Sequence, residues 1–262
     1  MATDGRHRGT HPENPPVGNA SDHFEPGFLD GAEFFRRDYR PQWLVNRVLV
    51  AGQPCVLGGP KKSLKTSVLI DLAVSLGSGT PFLNQFAVPK AVSVAILSGE
   101  SGEFAIQETA RRICRARGIN PTDADVVWGF ALPELCNTGH MIDLHDELRH
   151  RGVKLLIIDP LYLSLLAGEK AVGMEAGNLY HMGPLLRSVA QTCLKADCTP
   201  LLAHHTKKNL SEPFEPLDLE DLAYGGGSRV CAAMGTSGSP GGIRAGFGPP
   251  CPVDGGGRFG GA

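Results

Sequence analysis

The chain has 262 residues, a length that suits one α/β domain with tails better than two full domains. Its 25 Lys and Arg residues nearly balance its 27 Asp and Glu residues, and the net charge of −2 excludes binding of nucleic acid by bulk charge alone. The 34 Gly and 20 Pro residues exceed the globular average, which predicts that part of the chain does not fold.

The lack of a recognisable export signal and the cysteine usage predict a location inside the cell. The first residues contain no apolar run of the signal-peptide kind, and the most apolar stretch, 153–167, is interrupted by Lys154 and Asp159. We therefore expect neither a signal peptide nor a membrane span. The seven cysteines lack zinc-site spacing, so we expect free thiols and a cytoplasmic location.

The composition divides the chain into three parts. Residues 1–27 are polar and without periodicity, which predicts a disordered segment, and residues 231–262 form a Gly- and Pro-rich tail that is also expected to be disordered. Residues 28–230 are expected to form the single folded domain. Its aromatic-rich beginning, 28–50, fits a docking arm, a lead-in to the first strand or an edge element that covers the core.

From residue 54 onward, short apolar runs alternate with amphipathic segments, which is typical of βαβ units and a mostly parallel sheet with helices on both faces. Strands are predicted at 55–57, 92–97, 153–158 and 200–203, with a weaker candidate at 125–130. Helices are predicted at 65–76, 103–117, 143–151 and 184–195, with Gly77 as the stop of the first.

The strongest motif, GGPKKSLKTS, has a strand before it and a helix after it, as a phosphate-binding loop requires. Its residues are Gly58, Gly59, Pro60, Lys61, Lys62, Ser63, Leu64, Lys65, Thr66 and Ser67. Backbone N–H groups would face the phosphates, Lys65 would reach the β and γ oxygens, and the Thr66 hydroxyl would hold Mg²⁺. Leu64 departs from the usual pattern, because it adds a Cβ where a second Gly allows close approach.

Two carboxylates follow predicted strands. Asp159 ends the strand KLLIID, where a carboxylate at the sheet edge can hold a Mg²⁺ shell. Glu100 follows AILSG and could activate a water that attacks the γ-phosphate, with Glu103 as a nearby competitor. The alternative is that Glu100 only caps the next helix.

A pair of histidines, His204 and His205, ends the last predicted strand. A metal site is disfavoured, because no third ligand has suitable spacing. We expect one of the two to act as a polar sensor that hydrogen-bonds the γ-phosphate or the water. Lys207 and Lys208 fit either a phosphate contact or a solvated loop.

Four elements follow one another along the chain: the loop 58–67, Glu100, Asp159 and the segment 204–208. In this order they resemble the RecA-fold P-loop ATPases, and among them the RepA type of hexameric plasmid replicative helicase. The resemblance spans about residues 45–228. It implies ATP and Mg²⁺ binding by Lys65 and Thr66, Glu100 as the catalytic carboxylate, Asp159 as the Mg²⁺-shell residue and His205 or its neighbour as the sensor. It further implies a homo-oligomeric ring with single-stranded DNA in its channel, contacted by loops at 161–183 and 209–227.

The resemblance weakens after Tyr224, where the family continues with a helix and strands and this chain continues with GGGSRVCAAMG. A truncated gene or an alternative reading frame would explain that change. Three hypotheses follow: a DNA-coupled ATPase, a nucleotide-binding regulatory or assembly module with little hydrolysis, and an inactive, incomplete ATPase.

Overall fold

The computed structural model describes residues 26–165, 167–168, 172–174 and 179–205. The chain divides into two compact units between Arg40 and Pro41. In the first, helix α1 (Gly31–Arg36) is capped by Asp30, whose carboxylate accepts a hydrogen bond from the Glu33 N–H at 2.7 Å. The tail at 231–262 lies outside the described residues, as does the segment 1–27 except for its last two residues.

The second unit opens with an antiparallel hairpin of β1 (Trp43–Val45) and β2 (Leu49–Val50). Leu44, Val45 and Leu49 are buried in an apolar cluster shared with the main sheet. This part of the aromatic-rich segment is therefore an element that covers the core, which was one of the interpretations considered for it.

The main sheet has five strands, all parallel, in the order β3-β7-β6-β4-β5. The strands are β3 (Cys55–Gly59), β4 (Val94–Ser98), β5 (Val126–Gly129), β6 (Leu155–Asp159) and β7 (Thr199–His205). The predicted α/β fold with a mostly parallel sheet is confirmed, including the weak fifth strand. Because the strands are parallel, their carboxyl ends lie along one edge of the sheet.

Helices cover both faces of this sheet. They are α2 (Lys65–Ser78), α3 (Glu103–Arg117), α4 (Thr138–His150), α5 (Tyr162–Leu165) and α6 (Leu179–Lys195), with a 3₁₀ turn at Pro121–Asp123. Alternate residues of β6 enter different apolar clusters: Leu155 and Ile157 pack with α2 and α3, whereas Leu156 and Ile158 pack with α4 and α6. None of the helices in the described ranges is long and apolar enough to cross a membrane.

Three predicted helix boundaries were wrong. Gly77 does not end α2, which continues to Ser78 and is capped by Gly79 at φ 74°. A Cβ at Gly77 would lie 2.9 Å from the backbone N of Asp125, so this glycine serves close packing within the helix.

The other two corrections concern helix starts. Helix α4 begins at Thr138 rather than 143, because the Asn137 side chain accepts a hydrogen bond from the Gly139 N–H at 3.0 Å and caps it there. Helix α6 begins at Leu179 and contains Pro184 in its interior instead of starting there. Buried Met182 extends the apolar face of α6 to the N-terminal side of this proline.

Candidate functional site

The Gly-rich motif forms the turn between β3 and α2. Gly58 and Gly59 end β3, residues 60–64 form the turn, and Lys65 begins α2. The buried Lys65 ammonium donates hydrogen bonds to the carbonyl oxygens of Gly59 at 2.9 Å and Pro60 at 2.7 Å. A Cβ at Gly59 would lie 3.2 Å from Cδ of Lys65, so the glycine leaves room for the lysine stem. The loop thus surrounds the buried ammonium of Lys65.

Leu64, the residue that departs from the phosphate-loop pattern, has a left-handed backbone conformation, which glycine adopts without strain. Its φ is 62° and its ψ 16°, in the left-handed region, and its side chain is 72% exposed. That conformation costs an L-residue on the order of 1–2 kcal/mol. The turn is therefore locally strained at Leu64, and an apolar side chain faces solvent at the start of α2.

Thr66 and Asp159 join the loop to the tip of β6. The Thr66 hydroxyl donates a hydrogen bond to Oδ2 of Asp159 at 2.6 Å. Burial raises the pKa of Asp159 above its ordinary value, and the Thr66 hydrogen bond opposes that shift. A hydroxyl and a poorly hydrated carboxylate placed together are a donor set that suits a hard divalent cation.

Glu100 lies just beyond the tip of β4. The preceding Gly99 N–H donates to the carbonyl of Asp159 at 2.9 Å, and a Cβ at Gly99 would lie 2.3 Å from Cδ1 of Leu132. One carboxylate oxygen of Glu100 accepts a hydrogen bond from the Tyr162 hydroxyl, and the other lies 3.8 Å from Nε2 of His205.

The competitor Glu103 is the first residue of α3, beyond the loop that carries Glu100. The N-cap of α3 is Gly102, and in the described part of the chain no side chain caps this helix. The interpretation of Glu100 as the cap of α3 was therefore wrong.

His205 occupies the end of β7, in register with Gly59, while fully buried His204 is in register with Gly58. Within the described residues, neither ring nitrogen of His205 has a hydrogen-bond partner. Burial lowers the pKa of His205, and the Lys65 charge lowers it further. The ring is therefore neutral at neutral pH, with one donor and one acceptor nitrogen. Lys207 and Lys208 lie outside the described residues.

The sheet order explains why these groups meet. Strands β3, β7, β6 and β4 are consecutive neighbours, and each ends in one of the predicted residues or in the loop that carries it. The charges interact: burial lowers the pKa of Lys65, while Asp159 and Glu100 raise it.

Tyr162 was missed by the sequence analysis, although its place three residues after a strand-ending Asp was the available signal.

A parallel sheet with a glycine-rich turn, a lysine and a threonine between its first long strand and the following helix defines a P-loop nucleotide-binding fold. The family model described as an AAA domain matches residues 21–211, most of the chain. The chain therefore belongs to this family of P-loop ATPases, as the sequence predicted at that level. The match carries no information on helicase type. No curated protein matches the chain.

Proposed function

We propose that the chain binds Mg²⁺·ATP at loop 58–67 and hydrolyses it, and that a ring of subunits couples hydrolysis to single-stranded DNA in the manner of a replicative helicase. The observation that carries the nucleotide part is the Thr66 to Asp159 hydrogen bond beside the buried Lys65 ammonium. A cation, a hydroxyl and a carboxylate at the carboxyl edge of a parallel sheet are the groups that phosphoryl transfer uses.

Lys65 would exchange partners when nucleotide binds. Its ammonium is held by two neutral carbonyls, and phosphate oxygens would replace them with stronger charge-assisted hydrogen bonds. The first N–H groups of α2 have no acceptor within the helix and carry the partial positive charge of a helix N-terminus, which favours a bound phosphate.

Thr66 and Asp159 would hold the Mg²⁺. Their oxygen atoms match its ligand preference, and the buried Asp159 carboxylate gains from a neighbouring cation because burial disfavours its charged form. When bound, the ion would neutralise charge on the β- and γ-phosphates.

Glu100 and His205 would act at the γ-phosphate. Glu100 is partly exposed, so a water molecule can reach its carboxylate and lose a proton to it. Neutral His205 has a buried ring whose donor nitrogen has no partner among the described residues, and it can hydrogen-bond an oxygen of the γ-phosphate or the water.

The DNA and ring parts of the proposal rest on the resemblance to RepA-type helicases. Of the two loops expected at the channel, 161–183 is described in part and is not a loop throughout, because α5 and the start of α6 lie within it. The other, 209–227, lies outside the described residues. The cytoplasmic location also remains a prediction from composition.

A second candidate, a nucleotide-binding module with little hydrolysis, is favoured by Leu64. A side chain at this strained position, where the pattern has Gly, restricts how closely the backbone approaches a phosphate. Binding would survive, because Lys65 is in place, while the alignment needed for hydrolysis would suffer.

The test is ATP turnover by the purified chain with and without single-stranded DNA, beside sedimentation to count subunits. Turnover stimulated by DNA in a closed oligomer supports the motor. Tight nucleotide binding without turnover supports the module, and no nucleotide binding means an inactive, incomplete ATPase and refutes the proposal.

A further inference from the structure

Tyr162 contacts both residues that we place at the γ-phosphate. Its hydroxyl donates to Oε1 of Glu100, and its ring centroid lies 5.6 Å from that of His205. Glu100 Oε2, the other carboxylate oxygen, faces Nε2 of His205 at 3.8 Å. The tyrosine therefore occupies one oxygen of the carboxylate and leaves the second facing the histidine.

The backbone of Tyr162 is firmly anchored. The N–H of the preceding Leu161 donates to the carbonyl of Ala203 on β7 at 2.8 Å, and the Leu161 side chain is fully buried. Ser164, two residues further on, is also fully buried, and its carbonyl accepts from the Leu135 N–H at 3.1 Å. The hydroxyl of Tyr162 is thus presented from a fixed element.

Glu100 has weaker support of its own. It lies in the loop after β4, and its side chain is about half exposed. The Lys65 charge also attracts this carboxylate, so Glu100 needs a contact that fixes its direction. A general base that is free to move loses the alignment with its water on which its rate contribution depends.

We propose that Tyr162 is a positioning residue that holds one oxygen of Glu100 and directs the other toward the attacking water. The inference rests on the proposed function, because it assigns a partner to the proposed base. Hydrogen bonding to one oxygen leaves lone pairs on the other to accept the proton of the water.

The kinetic test is Tyr162→Phe, which removes the hydroxyl and keeps the ring beside His205. We expect kcat to fall about 10- to 100-fold, the equivalent of one hydrogen bond to a charged group, with the ATP dissociation constant unchanged. In a Glu100→Gln background the same change should have no further effect, because the two residues act as a unit. Tyr39→Phe, which removes a hydroxyl from an exposed residue of the N-terminal unit, is the control.

A second measurement does not depend on turnover. In protein labelled with ¹³C at glutamate carboxyl groups, the Glu100 signal is identified by its loss in Glu100→Gln. Tyr162→Phe should shift this signal and Tyr39→Phe should leave it in place. An unmoved signal in Tyr162→Phe would show that the hydrogen bond does not form in solution and would overturn the inference.

Failure of the role of Tyr162 and failure of the proposed function give different results. If the parent hydrolyses ATP, Glu100→Gln abolishes hydrolysis and Tyr162→Phe leaves kcat unchanged or raises it, only the role of Tyr162 is overturned. A parent without turnover, or a fully active Glu100→Gln, overturns the proposed base and with it the positioning role, whatever the ¹³C signal shows.

Discussion

The hydroxyl of Thr66 and the carboxylate of Asp159 are 93 positions apart in the chain and form a 2.6 Å hydrogen bond. The bond links the first turn of α2 to the tip of β6, across the end of β7. A ligand that takes either oxygen must replace or share this bond. Binding at the loop is therefore coupled directly to β6 and to the segment that follows it, which carries Tyr162.

The first prediction distinguishes two neighbouring carboxylates. Glu100→Gln should bind ATP normally and hydrolyse it about 10²- to 10⁴-fold more slowly, because a positioned base is lost. Glu103→Gln, at the start of α3, should retain near-parental turnover. Equal slowing by both changes, or greater slowing by Glu103→Gln, would show that Glu100 is not the base. Single-turnover phosphate release measures the effect.

The second prediction concerns strain at Leu64. Leu64→Gly should raise the free energy of unfolding by roughly 0.5–1 kcal/mol, because relief of the left-handed strain exceeds the entropy that Gly adds to the unfolded chain. Denaturant unfolding gives this value. If Leu64 also obstructs phosphate alignment, the variant should hydrolyse ATP faster than the parent.

Leu83 provides a matched control, since it is also exposed and has a φ of 50°. Leu83→Gly should give a similar gain in stability with no change in turnover. A faster Leu83→Gly, or a Leu64→Gly that is less stable than the parent, would contradict the interpretation of Leu64.

The third prediction concerns a buried ion pair between α2 and α3. The Arg117 guanidinium donates to both oxygens of Asp71, at 2.6 and 2.7 Å, and the two side chains are 6% and 14% exposed. Arg117→Met should destabilise the fold by about 3–5 kcal/mol, because the Asp71 carboxylate is left without its partner. The exposed pair of Arg112 and Glu108 offers the control: Arg112→Met should cost less than about 1 kcal/mol in thermal unfolding. Similar losses of stability in the two variants would show that the Arg117–Asp71 pair contributes no more than the exposed pair.

The fourth prediction is a pH effect from His205. Because its folded-state pKa is lowered from the ordinary value of 6.5, the unfolded chain binds a proton that the folded chain does not. Well above pH 6.5 the ring adds no penalty to folding, and the penalty grows as the pH falls through and below that value. His205→Gln should therefore lose less stability than the parent between pH 8 and pH 5.5, with exposed His150→Gln as the control. Identical slopes for parent and His205→Gln would show that the ring is not desolvated.

The sequence predicted the strands and the site edge well, because continuous apolar runs such as that of β6 have few alternatives in a parallel sheet. It failed at helix boundaries, where a packing contact or an unrecognised local cap decides the outcome. Gly77 looks like a helix stop, yet it permits close approach of the Asp125 backbone. Pro184 looks like a helix start, although the helix begins a turn earlier.

The pairing of Glu100 with Tyr162 was not predicted from the sequence. Glu100 and Tyr162 are 62 positions apart, and no periodicity relates them. Only the adjacency of β4 and β6 brings the loop after one strand to the helix after the other. The P-loop motif predicted the position of Lys65, but not the two carbonyls that its ammonium binds.

The most direct test of nucleotide binding is calorimetric titration of Mg²⁺·ATP into the parent and into Lys65→Ala, with exposed Lys90→Ala as the charge-matched control. We expect Lys65→Ala to lose about 1.5–3 kcal/mol of binding free energy, the value of a charge-assisted phosphate contact, and Lys90→Ala to bind like the parent. Unchanged affinity in a folded Lys65→Ala variant would contradict nucleotide binding at this loop.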